Sequence, residues 1–499
     1  MKHLLSIYDL SINEIEDIFK LTEKLNLNAT YQDFFARDVG IPGGPAFPTN
    51  ADVRYPLATR KLYDAALSWK SGTNWLKEST LNVYHQPMER KVTIIPNSPP
   101  VIKNGVPSPN NSTRITPVSV KPDGSHDVYG ARWQNVLGIG NHSIVAGIEG
   151  WQRKMESDRT KLIKKEVIDN STGNVIKTMF DTVIENPVPN SLQRPIGIFA
   201  EDDFKINDRL KITLGARTDW IHTENDLAYL TAVPKSDSVF WNAYEDNDRS
   251  WSLAGGIIYD ITEKLNFNFA ASKSFRSPSI EERYLYADLG GKLTAGNPYL
   301  DSENGIFTEG GLSYTGNNYR ISGQAFVNEI KDMVILKPGG VFNGLPADVY
   351  ENAGEARLYG FESSANWLIT DNLLFNADIS FVRGKDVEKG VNLPMIPPLR
   401  AHISARYNLF NNYWTEPLFT FCDKQDKVSS GERATPGYGI MDIFVGRTFA
   451  GDGRISYDLT AGIKNVFDKA YRDHLTTSRG FDILGMGRSF FVTYKINFR

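Results

Sequence analysis

Seven histidines, one cysteine and a few close acidic pairs are the groups in this chain that could carry catalysis or hold a metal. His3, His85, His126, His142, His222, His402 and His474 are scattered, with no i, i+4 pair and no His-Glu-x-x-His, so a zinc protease site is excluded. Cys422 stands alone, which rules out an intrachain disulfide and a cysteine-based zinc site. Asp246 and Asp248 resemble the opening of a calcium loop but lack its following glycine and distal glutamate, so they read as solvated loop charges. Glu281 and Glu282 fall in a loop, where nothing in the sequence constrains either for acid–base work. No catalytic site, resident metal or cofactor is expected, and the chain does not read as an enzyme.

The elements that would position these groups are strands. Ile212, Leu214, Ala216 and Trp220 share one parity, while Lys211, Thr213, Arg217 and Asp219 share the other. The same alternation runs through Leu265–Ala271, Phe375–Phe381, Ala401–Leu409, Ile455–Ile463 and Phe490–Phe498. Each run is about ten residues, the length of a tilted strand crossing a bilayer. Short Asn-, Asp- and Gly-rich turns, as at 140–142, 207–209, 315–318 and 370–372, alternate with long polar connections at 97–125, 162–192, 224–250 and 279–300. The pattern predicts an all-β antiparallel transmembrane barrel of about 18 strands from near residue 25 to Phe498. A soluble sandwich or propeller also alternates, but it seldom places Arg217, Asp378, Arg406, Lys464 and Lys495 on the second face. Those residues fit a wet lumen, and an outer apolar belt with aromatic girdles explains a chain 12% aromatic yet polar on average. Its 55 basic against 59 acidic residues give no electrostatic footprint for nucleic acid.

Several ordered motifs resemble the TonB-dependent receptors of the Gram-negative outer membrane. Ile196 to Phe204, followed by Leu210 to Asp219, resembles that family's acidic strand end, turn and "LTLGARxD" strand. Phe275-Arg276-Ser277-Pro278-Ser279 with Glu282 is similar to "FRAPS…E", and Asn297-Pro298-Tyr299-Leu300 to "NPNL". Asn352 to Glu362, including Gly360, is similar to "N…A…GxE". Asn465, Phe467, Asp468 and Tyr471 match "NLFDKxY", and Gly487-Arg488 leads into a last strand ending at Phe498, with Arg499 a small departure. Physically, Asn465 and Asp468 suit a tight kink and Phe467 and Tyr471 an interfacial girdle, while Arg276 suits either contact with an anionic ligand or, as the preferred reading, a pairing with a lumenal carboxylate.

The resemblance implies import of a scarce nutrient through a barrel of about 22 strands closed by a plug, working with the TonB complex and seated in outer-membrane lipid. Neither a signal peptide nor a plug nor a TonB-contacting segment is recognised in the sequence, so residues 26–499 read as a truncated barrel. Residues 1–25 read as a helix opened by a capping box at Asp9, Ser11 and Glu14, with Ile15, Ile18, Phe19, Thr22 and Leu25 at helical spacing. Their wording resembles the start of ornithine carbamoyltransferase. That enzyme's Ser-x-Arg-Thr-Arg loop has its nearest match at Ser157 to Lys161, far too late, and its His-Cys-Leu-Pro motif is missing because Asp423 follows Cys422. The helix therefore reads as a foreign leader. Ligands in this family meet the extracellular loops, which points to Trp241, Tyr244, Tyr284 and Tyr286 as candidate contacts. The expected ligand is a ferric siderophore or similar chelate, since 279–296 lacks the histidine described for haem importers. The alternative is a plugless passive pore or a non-functional barrel fragment. The expected location is the outer membrane.

Overall fold

The computed structural model describes residues 24–40, 51–96, 99–186, 188–229, 239–288, 293–342, 345–430, 432–450, 455–479 and 484–498. The expected helix within 1–25 lies almost wholly outside the described residues. The first stretch carries β1 (Leu25–Gly40), β2 (Ala51–Lys70), β3 (Leu76–Pro96), β4 (Val101–Asn104), β5 (Asn111–Ile139), β6 (His142–Asp169), β7 (Val175–Glu185), β8 (Ser191–Asn207) and β9 (Leu210–Asn225). Next come β10 (Ala228–Tyr229), β11 (Val239–Trp241), β12 (Tyr244–Asp260), β13 (Leu265–Arg276), a short helix α1 (Ile280–Tyr284), β14 (Tyr286–Asp288), β15 (Leu293–Ala295), β16 (Glu303–Thr315), β17 (Tyr319–Lys331), β18 (Val334–Phe342) and β19 (Leu345–Asn352). The last stretch holds β20 (Glu355–Thr370), β21 (Leu373–Asp386), β22 (Arg400–Asn408), β23 (Tyr413–Cys422), β24 (Tyr438–Ala450), β25 (Ile455–Lys464) and β26 (Ser489–Phe498).

All pairings in the main sheet are antiparallel, and nearly all join strands that follow one another around the meander. The sheet holds 20 strands. That exceeds the expected count through β4 and β7, which pair only with the far ends of β5 and β6. Among the described residues β1 pairs only with β2 and β26 only with β25, so the first and last strands are not joined. The expected closed barrel is thus described as an open-ended meander.

Two of the long connections expected from polarity are largely strand. The segments 97–125 and 162–192 lie mostly in β4, β5, β6 and β7, because β5 and β6 run on as a hairpin of 29 and 28 residues. Their polar composition misled because, on a ribbon extending past an apolar belt, both faces meet water and alternation disappears. At its other end the hairpin closes through Gly140 and Asn141, with Gly140 at φ +59°, the left-handed conformation that a two-residue turn requires.

The two parities of each strand separate as the sequence predicts. Leu214, Leu253, Leu312, Val445, Phe490 and Val492 lie on an exposed apolar face. The opposite face is stitched by polar pairs, among them Arg217 to Glu149 at 3.0 Å and to Asp219 at 2.7 Å. His402 meets Asp378 there at 2.8 Å. Gathering charged pairs on one face while leaving leucines exposed on the other inverts the usual soluble arrangement, and it suits an apolar surrounding medium. Among the described residues no helix is long and apolar enough to cross a membrane. At Gly360 on β20 an added Cβ would stand 2.1 Å from the Phe381 carbonyl oxygen, so only glycine lets β21 approach this closely.

Candidate ligand-facing cap and its motif network

The motif residues converge at the end of the meander that carries the long connections. Arg276 ends β13 and holds Glu303 with two hydrogen bonds, Nε to Oε2 at 2.7 Å and Nη2 to Oε1 at 2.6 Å. Its Nη1 donates to Glu282 Oε2 at 2.8 Å. The fork of a guanidinium matches a carboxylate in this way, so the arginine ties strand end, helix and next strand together. The structure thus gives Arg276 the carboxylate pairing expected of it.

Glu281 and Glu282, expected in an unconstrained loop, belong to α1 instead. Ser279 caps the helix: its Oγ accepts from the Glu282 N–H at 3.2 Å, and the Glu282 carboxylate accepts from the Ser279 N–H at 2.8 Å. Such a reciprocal box satisfies two donors that a helix start leaves open. Burial alone would raise the Glu282 carboxyl, but the Arg276 hydrogen bond and charge and the bonds from Ser279 together hold it below its usual range. Pro278 beside the cap is fully buried.

Arg283, one turn on, is 1% exposed. Its Nη1 donates to the Pro298 carbonyl oxygen at 2.6 Å, and its Nη2 lies 2.8 Å from Asp246 and 3.5 Å from Asp248. Asp248 also accepts from Ser277 Oγ at 2.8 Å and Ser302 Oγ at 3.1 Å. The expectation that these aspartates are solvated loop charges is therefore corrected: they are the counter-charges of a buried arginine. Losing either side of such a pair leaves an uncompensated charge, which is strongly destabilising.

The Asn297–Leu300 turn is fixed from both ends. Asn297 donates its N–H to the Glu282 carbonyl at 2.9 Å and accepts from the Tyr299 N–H at 3.0 Å, and Leu300 is buried. Asn352 accepts from the Asp301 N–H at 2.9 Å and donates to the carbonyls of Asp301 and Asp332 at 3.0 and 2.7 Å. Glu362 lies farther along β20 on the polar face, 3.3 Å from Gln324 Nε2.

The four candidate contact aromatics divide sharply. Tyr284 is wholly buried against Met155 and Ile280, and burial pushes its phenol up to about 12. Tyr286 is buried beneath Arg159, whose guanidinium carbon sits 5.3 Å from the ring centre, and Trp241 packs on Phe342 at 4.9 Å. Only Tyr244 is exposed, and it meets Tyr299 with ring centres 5.8 Å apart at 71°. Sequence reading missed Arg283 and Tyr299, because the value of each depends on partners more than thirty residues away or on a turn fixed by them.

A second motif cluster precedes β26. Asn465, at φ +49° and buried, receives the Lys469 N–H at 2.9 Å, donates to the carbonyls of Lys469 and Met486 at 2.9 and 3.1 Å, and sends its own N–H to Asp442 at 2.8 Å. Asp468, at φ +52°, accepts the Arg488 N–H at 2.8 Å. Both residues thus hold the kink read from the sequence. Tyr471 packs on Tyr438 at 4.5 Å, Phe467 is exposed, and Gly487 sits against Asp468. Among the described residues no cluster of three or more His, Cys, Asp or Glu has a metal-holding arrangement.

Comparison with known proteins agrees with this geometry. The family model described as "TonB dependent receptor-like, beta-barrel" matches residues 8–466. Heme/hemopexin utilization protein C of Haemophilus influenzae (strain 86-028NP) is 25% identical over 264 residues, covering 48% of this chain and 36% of that protein. The hemin receptor of Yersinia enterocolitica is 23% identical over 281 residues, covering 50% of this chain and 40% of its own length. The chain thus spans well under two thirds of the curated relatives it matches. Among solved structures, the copper transporter OprC superposes with a TM-score of 0.68 at 15% identity, covering 95% of this chain and 72% of that one. The ferric citrate transporter FecA in its unliganded form gives 0.64 at 16%, covering 95% and 68%. At these identities the structures establish the fold, and with the family match they show that the chain belongs to the TonB-dependent receptor-like β-barrel family.

Proposed function

We propose that the chain is the barrel portion of an outer-membrane receptor that imports a metal chelate in dependence on the TonB complex. The observation that carries this reading is the ordered cap: motif residues from four separate segments are locked by Arg276 and Arg283 at the long-connection end of a sheet with an exposed apolar face. A buried arginine network at that end serves to hold loops in a fixed shape, which is what recognition of a small ligand requires. The preferred ligand is a ferric siderophore or similar chelate. A second reading, haem, is favoured by the names of the curated relatives, while the absence of histidine between 279 and 296 weighs against it. In this scheme residues 26–499 form the barrel portion and residues 1–25 are a segment of separate origin.

The test is growth of an iron-starved host, stripped of its own receptors, that expresses the intact receptor carrying this barrel. Rescue by ferric siderophores and its loss on deleting tonB support the proposal. Rescue by haem alone selects the second reading. Uptake that persists without TonB points to a passive pore and overturns energy-coupled import.

A further inference from the structure

We infer that Arg447, on the lipid-facing side of β24, binds the phosphate of a phospholipid in the leaflet on the short-turn side. This goes beyond the import reading and rests only on the exposed apolar face meeting lipid. Arg447 lies three residues before the end of β24 at Ala450, about 10 Å of strand from the short connection to β25. Directly across from it stand Tyr413 on β23 and Leu459 on β25, and Val445 precedes it by two residues on its own strand. All three are exposed members of the apolar face, so the guanidinium projects from that face and not into the lumen.

The charge of Arg447 is held in place but not neutralised. Two rings flank the guanidinium carbon, Phe449 at 4.3 Å and Tyr413 at 4.6 Å from their centres, and Nη1 donates to the Tyr413 hydroxyl at 2.9 Å. Nε is buried without a hydrogen-bond partner. Among the described residues no carboxylate pairs with Arg447, whereas Arg217, Arg276 and Arg283 each have one. A guanidinium at the edge of an apolar medium is costly without a counter-charge. Aromatic belts sit at headgroup depth, and here Tyr457 and Tyr494 stack at 6.0 Å on the neighbouring β25 and β26, which places Arg447 at that depth too. Phosphate is the anion of the headgroup layer, and the fork of a guanidinium matches two of its oxygens. Because the rings already fix the fork, little side-chain ordering falls on binding.

The experiment takes the full chain in uncharged maltoside micelles and counts the lipid retained on it by native mass spectrometry. Its probes are phosphatidylglycerol, diacylglycerol with the same acyl chains, and inorganic phosphate. Wild type is expected to hold phosphatidylglycerol about tenfold more tightly than Arg447→Gln does, and to hold diacylglycerol no better than that variant. Arg447→Lys keeps the charge but not the fork and is expected to fall between them. Arg406→Gln removes a guanidinium from the opposite face, where Arg406 lies 4.0 Å from the Trp414 ring centre, and is expected to retain lipid as wild type does. Heat-shift gels report whether each variant folds, and if Arg447→Gln does not, Arg447→Lys against wild type decides. Equal retention of phosphatidylglycerol by wild type and variant, or the same difference with diacylglycerol, overturns the proposal. Displacement of the bound lipid by inorganic phosphate assigns the site to the free anion and overturns a lipid ligand. Each of these overturning results leaves the import reading standing.

Discussion

Two side chains, one in each motif cluster, give measurable expectations. Glu282 has its carboxyl held low in the folded state, so its contribution is present above the unfolded value of about 4.3 and is lost as pH falls through the folded one. Proteolysis of the 277–302 segment should therefore accelerate on acidification below about pH 4, and Glu282→Gln should show the faster cleavage already at neutral pH. A cleavage rate indifferent to both changes would remove Glu282 from the latch. Asn465 makes a different case, because its side chain satisfies three backbone groups in a left-handed turn. Asn465→Ala should lower stability by about 2–3 kcal/mol, read from the denaturant midpoint of the micelle-bound protein. Asn465→Gly keeps the backbone conformation but not the bonds, and should recover only part of that loss. Asn465 was legible because an Asn and an Asp three residues apart announce a turn. Arg283 was not, since an arginine in a loop declares nothing until Asp246 and Pro298 are brought to it by folding.

At the scale of elements, strand alternation in the sequence carried nearly everything within the apolar belt and almost nothing beyond it. β9 keeps its parity as far as Trp220, β13 as far as Ala271 and β21 as far as Phe381, whereas the outer halves of β5 and β6 were read as loop because no medium there distinguishes two faces. The aromatics failed in the same region for a related reason. Tyr284 and Tyr286 sit in a segment that looks like loop in sequence but has its own small core, built on α1 and on a four-stranded sheet of β14, β15, β19 and β18. Gly360 gives the sharpest test of strand contact. Gly360→Val must push the Phe381 carbonyl away, and an expected cost of about 2–3 kcal/mol should appear as a lower unfolding temperature on heat-shift gels. The corresponding Gly390→Val change meets nothing within 4 Å, so any penalty there comes from its φ of +66° alone.

For the molecule as a whole the apolar face decides the solvent. Leu214 is 61% exposed near the middle of β9. In a bilayer, Leu214→Arg should cost about 2–4 kcal/mol, measured as reduced folding yield into lipid vesicles. In a soluble protein the same change would be close to neutral, so an undiminished yield would remove the membrane reading. Both ends of the meander also present strand edges without a described partner, and such edges invite pairing with other strands.

The β5–β6 hairpin bears on how the molecule assembles. From Ile139 opposite His142 to Asn111 opposite Asp169, each pair is separated in sequence by only a little more than the pair before it. Closing a chain segment of this kind grows slowly in entropic cost with length, and hairpins form in about 1–10 μs, before distant contacts can be found. Once formed, the ribbon offers β3 one free edge and β8 the other. Pairing is then expected to spread outward from Gly140 and Asn141, and pulse-labelled hydrogen exchange during refolding into lipid should protect β5 and β6 before β1 and β26.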